Sequence, residues 1–197
     1  MFIEKIYEKV RSKIHEDPVD KLRRLGAEIG SNVHIYDGGG AIIDYDYAQL
    51  LKIGNNVTIS SSTLLMHDAS MKKELHYVKI GRIIIGDNVF IGSGTIILPN
   101  VKIGNNVIIG AGSVVSKDIS NGMVAVGRPI RTIGTYDAYM KKCSDLVSEK
   151  PYYSEKDLIK SKECLLRNIE DFGYIGKWIW LRMDDGQQRG RREENFC

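Results

Sequence analysis

Cysteine is scarce in this chain: three among 197 residues, Cys143, Cys164 and Cys197, all in the last third. They form no C-x-x-C pair, and their odd number gives no disulfide framework, so they read as free thiols of a reducing compartment. Long apolar runs are missing too. Nothing approaches the ~18 consecutive apolar residues that span a bilayer, so no membrane insertion is expected. The opening MFIEKIYEKVRSKI alternates charge with apolar groups and lacks the unbroken apolar core of a signal peptide, which predicts a cytoplasmic protein. Charge of one sign is nearly absent in the balance. A formal net charge of +3 is too small to imply nucleic acid as a partner. The basic cluster Arg189, Arg191 and Arg192 is offset by Glu193 and Glu194 and reads as a solvated tail. What remains, 43% hydrophobic and 27% charged residues, is the composition of a soluble globular protein.

What is abundant is a short repeat. Ile85, Ile91, Ile97, Ile103, Ile109 and Val115 recur at every sixth position. Four places after each sit Val89, Thr95, Val101, Val107, Ser113 and Ile119, all small or β-branched. Asn88, Gly94, Asn100, Asn106, Gly112 and Asp118 fill the fourth place of each hexad. Gly, Asn and Asp are the residues that best tolerate positive φ, so this column predicts a tight corner every six residues. A helix cannot use the pattern, because six residues rotate by about 600° and scatter the aliphatics around its axis. A flat sheet would need a period of two. The solution is a prism of parallel coils, three hexads per turn, with each leading aliphatic pointing inward onto its equivalent in the next coil.

An upstream block carries the same signal in another phase: Ile29-Gly30, then Ile53-Gly54-Asn55-Asn56-Val57, with Ile59 and Leu65 following Ile53 at six and twelve. The phase breaks within residues 36–52, around Gly38-Gly39-Gly40, and again at about 68–84. Such excursions leave one edge of a solenoid and are where sites are often built. The ends read as caps. Ile3, Ile6, Tyr7, Val10 and Ile14 have helical spacing, as do Tyr136, Tyr139, Met140, Cys143, Leu146 and Val147. A further helix is expected at 155–170, and FGYIGKWIW at 172–180 is expected to pack on the prism or on a neighbouring subunit. The expected fold is thus mainly β: a helical cap over 1–25, a parallel β-helix over 26–133 with loops near 36–52 and 68–84, and a helical extension over 134–197.

The run IGDNVFIGSGTIILPNVKIGNNVIIGAGSVVSKDI, followed by VGRPIRTI, resembles the hexapeptide-repeat acetyltransferases. The branch it is most similar to contains the maltose, galactoside and streptogramin acetyltransferases and the capsular-polysaccharide O-acetyltransferases. The resemblance covers about residues 25–133. It implies a left-handed parallel β-helix, a homotrimer, acetyl-CoA between adjacent prisms as acyl donor, and no metal.

Acyl transfer to a hydroxyl needs a base, and imidazole suits the task because its ordinary pKa of about 6.5 lies near working pH. Of the four histidines, His15 and His34 precede the main repeat and His76 lies inside the excursion. His67 stands where the chain leaves the prism, in TLLMHDAS, which resembles the family's catalytic-histidine segment. Asp68 follows it, but adjacent strand residues point to opposite faces, so a backbone carbonyl is the expected partner for the ring. For the donor, small residues leave a coil edge open to the pantetheine arm: Gly92, Ser93, Gly110 and Ala111. Ser116, Lys117, Arg128 and Arg131 match the family's VTKD and G-x-P-x-R-x-I elements and are expected on the phosphates, with Ser116 standing where threonine is common. Phe90 takes the place of a family aromatic near the acyl site. Tyr36, Asp37, Asp44 and Asp46 are candidates to hydrogen-bond a carbohydrate acceptor.

Other readings stay open at this stage. One is an N-acyltransferase for a nucleotide-linked amino sugar. Another is a carbonic anhydrase of the γ class, which needs three converging imidazoles where the sequence offers only His67 and His76. A third is a non-catalytic solenoid scaffold.

Overall fold

A computed structural model describes residues 16–36, 41–149, 152–153 and 174–175. The expected helices at 2–15 and 155–170 lie outside the described residues, as do Asp37, Gly38–Gly40, Cys164 and Cys197. The chain forms two compact units, Met1–Tyr139 and Met140–Cys197. The first contains the prism.

Short strands repeat three to a coil. The first coil is β1 (Glu28–Ile29), β2 (Val33–Tyr36) and β3 (Ile42–Ile43). The second is β4 (Leu51–Ile53), β5 (Val57–Ser60) and β6 (Thr63–Leu64). An excursion, β7 (His67–Asp68) and β8 (Lys79–Ile80), interrupts the winding. The third coil is β9 (Ile83–Ile85), β10 (Val89–Ile91) and β11 (Ile96–Ile97), and the fourth is β12 (Val101–Ile103), β13 (Val107–Ile109) and β14 (Val114–Val115). In the fifth, Ile119 bridges to Ile103, β15 (Met123–Val126) follows, and β16 (Arg131–Thr135) turns back antiparallel to it.

Equivalent strands pair in parallel from coil to coil and make three faces. β1, β4, β9 and β12 form the first, β2, β5, β10, β13 and β15 the second, and β3, β6, β11 and β14 the third. The register stacks like on like: Ile29, Ile53, Ile85 and Ile103 on the first face, Ile35, Ile59, Ile91 and Ile109 on the second, Ile43, Leu64, Ile97 and Val115 on the third. The second column of the repeat also faces inward, with Val89, Thr95, Val101, Val107, Ser113 and Ile119 all buried. The buried hydroxyls are satisfied: Thr95 and Ser113 donate to the carbonyl of Gly110, and Ser62 donates to Ser60 and Gly92.

The corner column behaves as its residue types predict. Asn88, Gly94, Asn100, Asn106 and Gly112 all have positive φ, as do Asn32 and Asn56 upstream. Asp118 is the exception. Its side chain instead accepts the Lys102 N–H, and positive φ returns at the next corner with Gly122, the equivalent of Asn106. The edge between the first and second faces carries two hydrogen-bond ladders. Asn32, Asn56, Asn88 and Asn106 link amide to amide at 3.0, 3.1 and 3.0 Å. One residue earlier, the side chains of Asn55, Asp87, Asn105 and Asn121 each accept the backbone N–H of the coil above, at 2.9, 2.6, 2.8 and 2.8 Å. The coils approach so closely here that a Cβ on Gly86 would lie 2.8 Å from the Gly104 carbonyl carbon.

One inward residue differs from expectation. Leu64 is fully buried, and Leu65 is half-exposed. The turn Ser60–Ser61–Ser62 is one residue shorter than its counterparts, so the third strand of the second coil slips by one. Ser61 takes positive φ in place of the Gly94 and Gly112 below it.

Helix α1 (Pro18–Arg24) closes the upper end. Asp17 caps it through Val19 and Asp20, and Val19 and Leu22 are buried. Arg23 reaches down to the Gly30 carbonyl at 2.6 Å and to the Ile29 carbonyl at 3.5 Å, the latter the group whose equivalents Ile53, Ile85 and Ile103 accept an N–H from the coil above. The excursion holds a four-residue helix, α2 (Lys72–Leu75). A longer helix, α3, runs Tyr136–Glu149, and Tyr152–Tyr153 pairs in parallel with Tyr174–Ile175. Among the described residues no helix is long and apolar enough to cross a membrane.

Candidate active site

The slip at Ser61 decides which way His67 points. Along a strand side chains alternate, and a one-residue shift exchanges the two sets. With Leu64 and Met66 buried, Leu65 and His67 face outward. Had Leu65 faced the core, His67 would have followed it inside. His67 opens β7 at the edge between the third and first faces, opposite Ile80 of β8.

The first coil supplies its partner. Asp44 follows β3 at the same edge, one coil above. Its Oδ2 accepts the backbone N–H of Met66 at 2.7 Å, that of His67 at 3.2 Å, and the ring Nδ1 of His67 at 2.7 Å. The carboxylate side chain is 12% exposed and the imidazole 35%. A carboxylate only accepts, so Nδ1 carries the hydrogen and Nε2 keeps a lone pair. Neither Asp68 nor a backbone carbonyl orients the ring: the partner is Asp44, which the sequence had suggested for the acceptor. Asp68 is occupied locally. The backbone N–H of Ser70, 2.9 Å away, holds its carboxyl below the usual range, and Lys79 across the hairpin adds to this.

A 3₁₀ turn, Tyr45–Leu50, follows Asp44 directly. It places the Tyr47 ring 5.1 Å from the His67 ring, tilted by 31°. Sequence reasoning passed over Tyr47. The signal was present in Asp44-Tyr45-Asp46-Tyr47, a carboxylate and an aromatic three residues apart, but it has meaning only once the register of the first two coils is known.

The remaining candidates fall on two edges. Gly92, Ser93, Gly110 and Ala111 lie on the edge between the second and third faces, where small residues stack: Ser60–Ser62, Gly92–Gly94 and Gly110–Gly112. A Cβ on Gly92 would lie 2.5 Å from the Ala111 nitrogen, so bulk is excluded there. Arg128 ends this edge, with Nε donating to the Gly112 carbonyl. Arg131 opens β16 beside it, paired with Val126. Tyr36 is at the top of the same edge, 53% exposed, its ring stacked on His34 at 6.1 Å. Ser116 and Lys117 are exposed on the His67 edge, two coils below it, a drop of ~10 Å at the usual strand spacing. The cations therefore do not form one cluster within a chain. Phe90 is 44% exposed on the outside of the second face, and so is not core filler. Asp46 is exposed on the 3₁₀ turn, and His76 is exposed at the end of α2. Among the described residues no group of three or more His, Cys, Asp or Glu side chains could hold a metal ion.

Comparison with known proteins agrees with this architecture. The family profile described as "Bacterial transferase hexapeptide (six repeats)" matches residues 82–117. Protein CapG of Staphylococcus aureus is 38% identical over 76% of this chain and 87% of its own length. A galactoside O-acetyltransferase of Lactococcus lactis is 31% identical over 58% of this chain and 65% of its own length. A hexapeptide-repeat acetyltransferase of Vibrio cholerae, 19% identical over 65% of this chain and 86% of that one, superposes with a TM-score of 0.50 and shares the fold. With a relative this similar over most of both lengths, and with the left-handed parallel β-helix in place, the chain belongs to the hexapeptide-repeat acyltransferases.

Proposed function

We propose that the protein moves an acetyl group from acetyl-CoA to a hydroxyl of a carbohydrate, a cell-surface polysaccharide unit or its precursor, in the cytoplasm. The observation that carries this reading is the Asp44–His67 pair at the mouth of the excursion. Asp44 fixes Nδ1–H and leaves Nε2 facing out. Nε2 takes the acceptor hydroxyl proton as the oxygen attacks the thioester carbonyl. The Asp44 carboxylate stabilises the imidazolium, and that proton then passes to the departing CoA thiolate. Two relatives named galactoside O-acetyltransferases support the carbohydrate hydroxyl, although this chain spans only 65% and 54% of their lengths.

The small-residue edge suits the donor's pantetheine arm, and Arg128 and Arg131 suit its phosphates. Within one chain, however, the third face separates that edge from His67. Six residues divide Ser61 from His67, about 20 Å if fully extended. A complete site therefore needs the His67 edge of one copy against the small-residue edge of the next, and this contact closes on itself around a threefold axis. Lys117, on the His67 edge, then faces the same donor as Arg128 of the neighbouring copy. A homotrimer follows. Light scattering that returns 22.2 kDa, the mass of a single chain, would overturn it.

A thiol-release assay with acetyl-CoA and a panel of hydroxyl and amine acceptors tests the reaction. Turnover with sugar hydroxyls is expected. Turnover with nucleotide-linked amino sugars alone would replace the reading by N-acylation, and no thiol release with any acceptor would favour a scaffold.

A further inference from the structure

The 3₁₀ turn beside the base repeats its side-chain direction every three residues. Asp44 caps the turn, and the Tyr47 N–H bonds back to the Asp44 carbonyl at 3.1 Å. Carboxylate and ring are thus presented to the same neighbour, the first to the edge of the imidazole and the second to its side. Tyr47 is also where the turn departs from helical geometry, with φ −117° and ψ 23°, so the local backbone bends at the residue that meets His67. The alternate residues of the turn face the protein. Ala48 is fully buried, and the Lys21 ammonium of α1 sits 3.6 Å from the centre of the Tyr45 ring. The turn is therefore held from behind by an element outside the prism, while Tyr47, half-buried against the core cluster, touches the His67 ring.

A hydrogen bond to Nδ1 fixes one atom of the imidazole and its tautomer. It does not fix the ring plane, because the ring still rocks about the line through Nδ1. A second contact on the ring is needed to aim the Nε2 lone pair, and misaiming by an ångström costs up to about 100-fold in rate. We propose that Tyr47 is the positioning residue that sets the plane of the His67 imidazole, and that Asp44 and Tyr47 act as one unit on it. The proposal rests on His67 being the base. His67 reaches the acceptor; Tyr47 acts through it.

The test uses the full-length protein in steady-state assays with acetyl-CoA and its best acceptor. Tyr47→Ala is expected to lower kcat by about 10–100-fold, with KM for acetyl-CoA unchanged. Tyr47→Phe keeps the plane and is expected to stay near the wild-type rate. Tyr47→Leu keeps apolar bulk without a plane and is expected to behave like the alanine variant, which covers the case in which alanine impairs folding. Combining Tyr47→Ala with Asp44→Asn should cost little more than the worse single change, because both act on one ring. Three outcomes overturn the proposal: a leucine variant with more than half the wild-type kcat, a phenylalanine variant as slow as alanine, or losses that multiply in the double variant. His67→Ala, measured alongside, separates the two claims. If it stays active, the base assignment itself falls. If it is inactive while Tyr47→Leu is fast, only the role of Tyr47 falls.

Discussion

The two halves of the prism are built from the same hexad and do different things. From Ile83 to Ser116 the repeat runs without an insertion, and equivalent residues stand 18 apart: Ile85 and Ile103, Ile91 and Ile109, Ile97 and Val115. Upstream, from Glu28 to Ile85, the 18-residue spacing is nowhere kept. Ile29 and Ile53 are 24 apart, Ile43 and Leu64 are 21 apart, and Ile53 and Ile85 are 32 apart. Core burial in the second coil matches the regular half, with Leu51, Ile59 and Leu64 as buried as Ile91 and Ile97, and only the terminal first coil, with Ile29 and Ile43 partly buried, falls short. The difference is in what leaves the edges. The regular half offers smooth backbone edges and two arginines at its end. The irregular half offers Asp44, Tyr47 and His67, and each owes its place to a broken period. In the proposed mechanism, regularity supplies the surface along which a long, chemically simple donor lies, and irregularity supplies the groups that react.

That contrast can be broken by single changes that strike one half and spare the function of the other. The largest effect is expected at His67. His67→Ala should slow turnover by ~10²–10⁴-fold, the usual contribution of a positioned general base. Thermal unfolding and acetyl-CoA affinity should stay put, because the ring is at an edge and outside the aliphatic stack. An unfolding midpoint that drops with the rate would make His67 structural instead.

The converse change is Ile97→Ala, in the middle of the regular half and fully buried. It should cost ~2–5 kcal/mol of stability, through lost burial and the cavity left behind. The rate per folded molecule should be unaltered. Denaturant titration and assay of the same sample check both statements, and a changed rate at full folding would mean that the halves are not separable.

Arg128→Ala sharpens the comparison from the donor side. A charge-assisted contact is typically worth ~1.5–3 kcal/mol, so KM for acetyl-CoA should rise by about tenfold or more while KM for the acceptor is unchanged. An unchanged KM for acetyl-CoA in both the Arg128 and Arg131 alanine variants would remove the small-residue edge from the donor site.

The smallest effect is expected at Asn88→Ala. It removes two of the three amide links of the asparagine ladder and puts alanine at φ 56°. The loss should be about 1–2 kcal/mol, most of it from the left-handed backbone. Asn88→Gly should recover most of that. If glycine is as damaging as alanine, the ladder rather than the backbone conformation is what the column preserves.

The prism was legible in the sequence because a six-residue period of Ile and Val has one compact solution, and the Asn and Gly column marked its corners before any coordinates. His67 stood out as a candidate because it ends that period at a loop. Its partner did not. Asp44 and His67 are 23 residues apart, with a skipped residue at Ser61 and an inserted turn between them, so their meeting depends on the register of two irregular coils. The same slip explains why Leu65 was expected inside and Leu64 is found there. Asp118 shows the limit of reading a column by residue type: a side chain able to accept the Lys102 N–H served another purpose than allowing positive φ.

The coil-to-coil register also makes the molecule a gauge. Equivalent positions are offset along the axis by one strand spacing, ~4.8 Å, and by nothing else. His67 leaves the second coil and Arg128 the fifth, on different edges, so the axial offset between them is a little under three steps, ~13 Å. It can change only in whole steps. Removing the 18 residues from Gly86 to Ile103 would close the gap by one step and leave every remaining contact with an equivalent partner. If the donor lies along the small-residue edge as proposed, the length of it that the prism accommodates is set in whole steps.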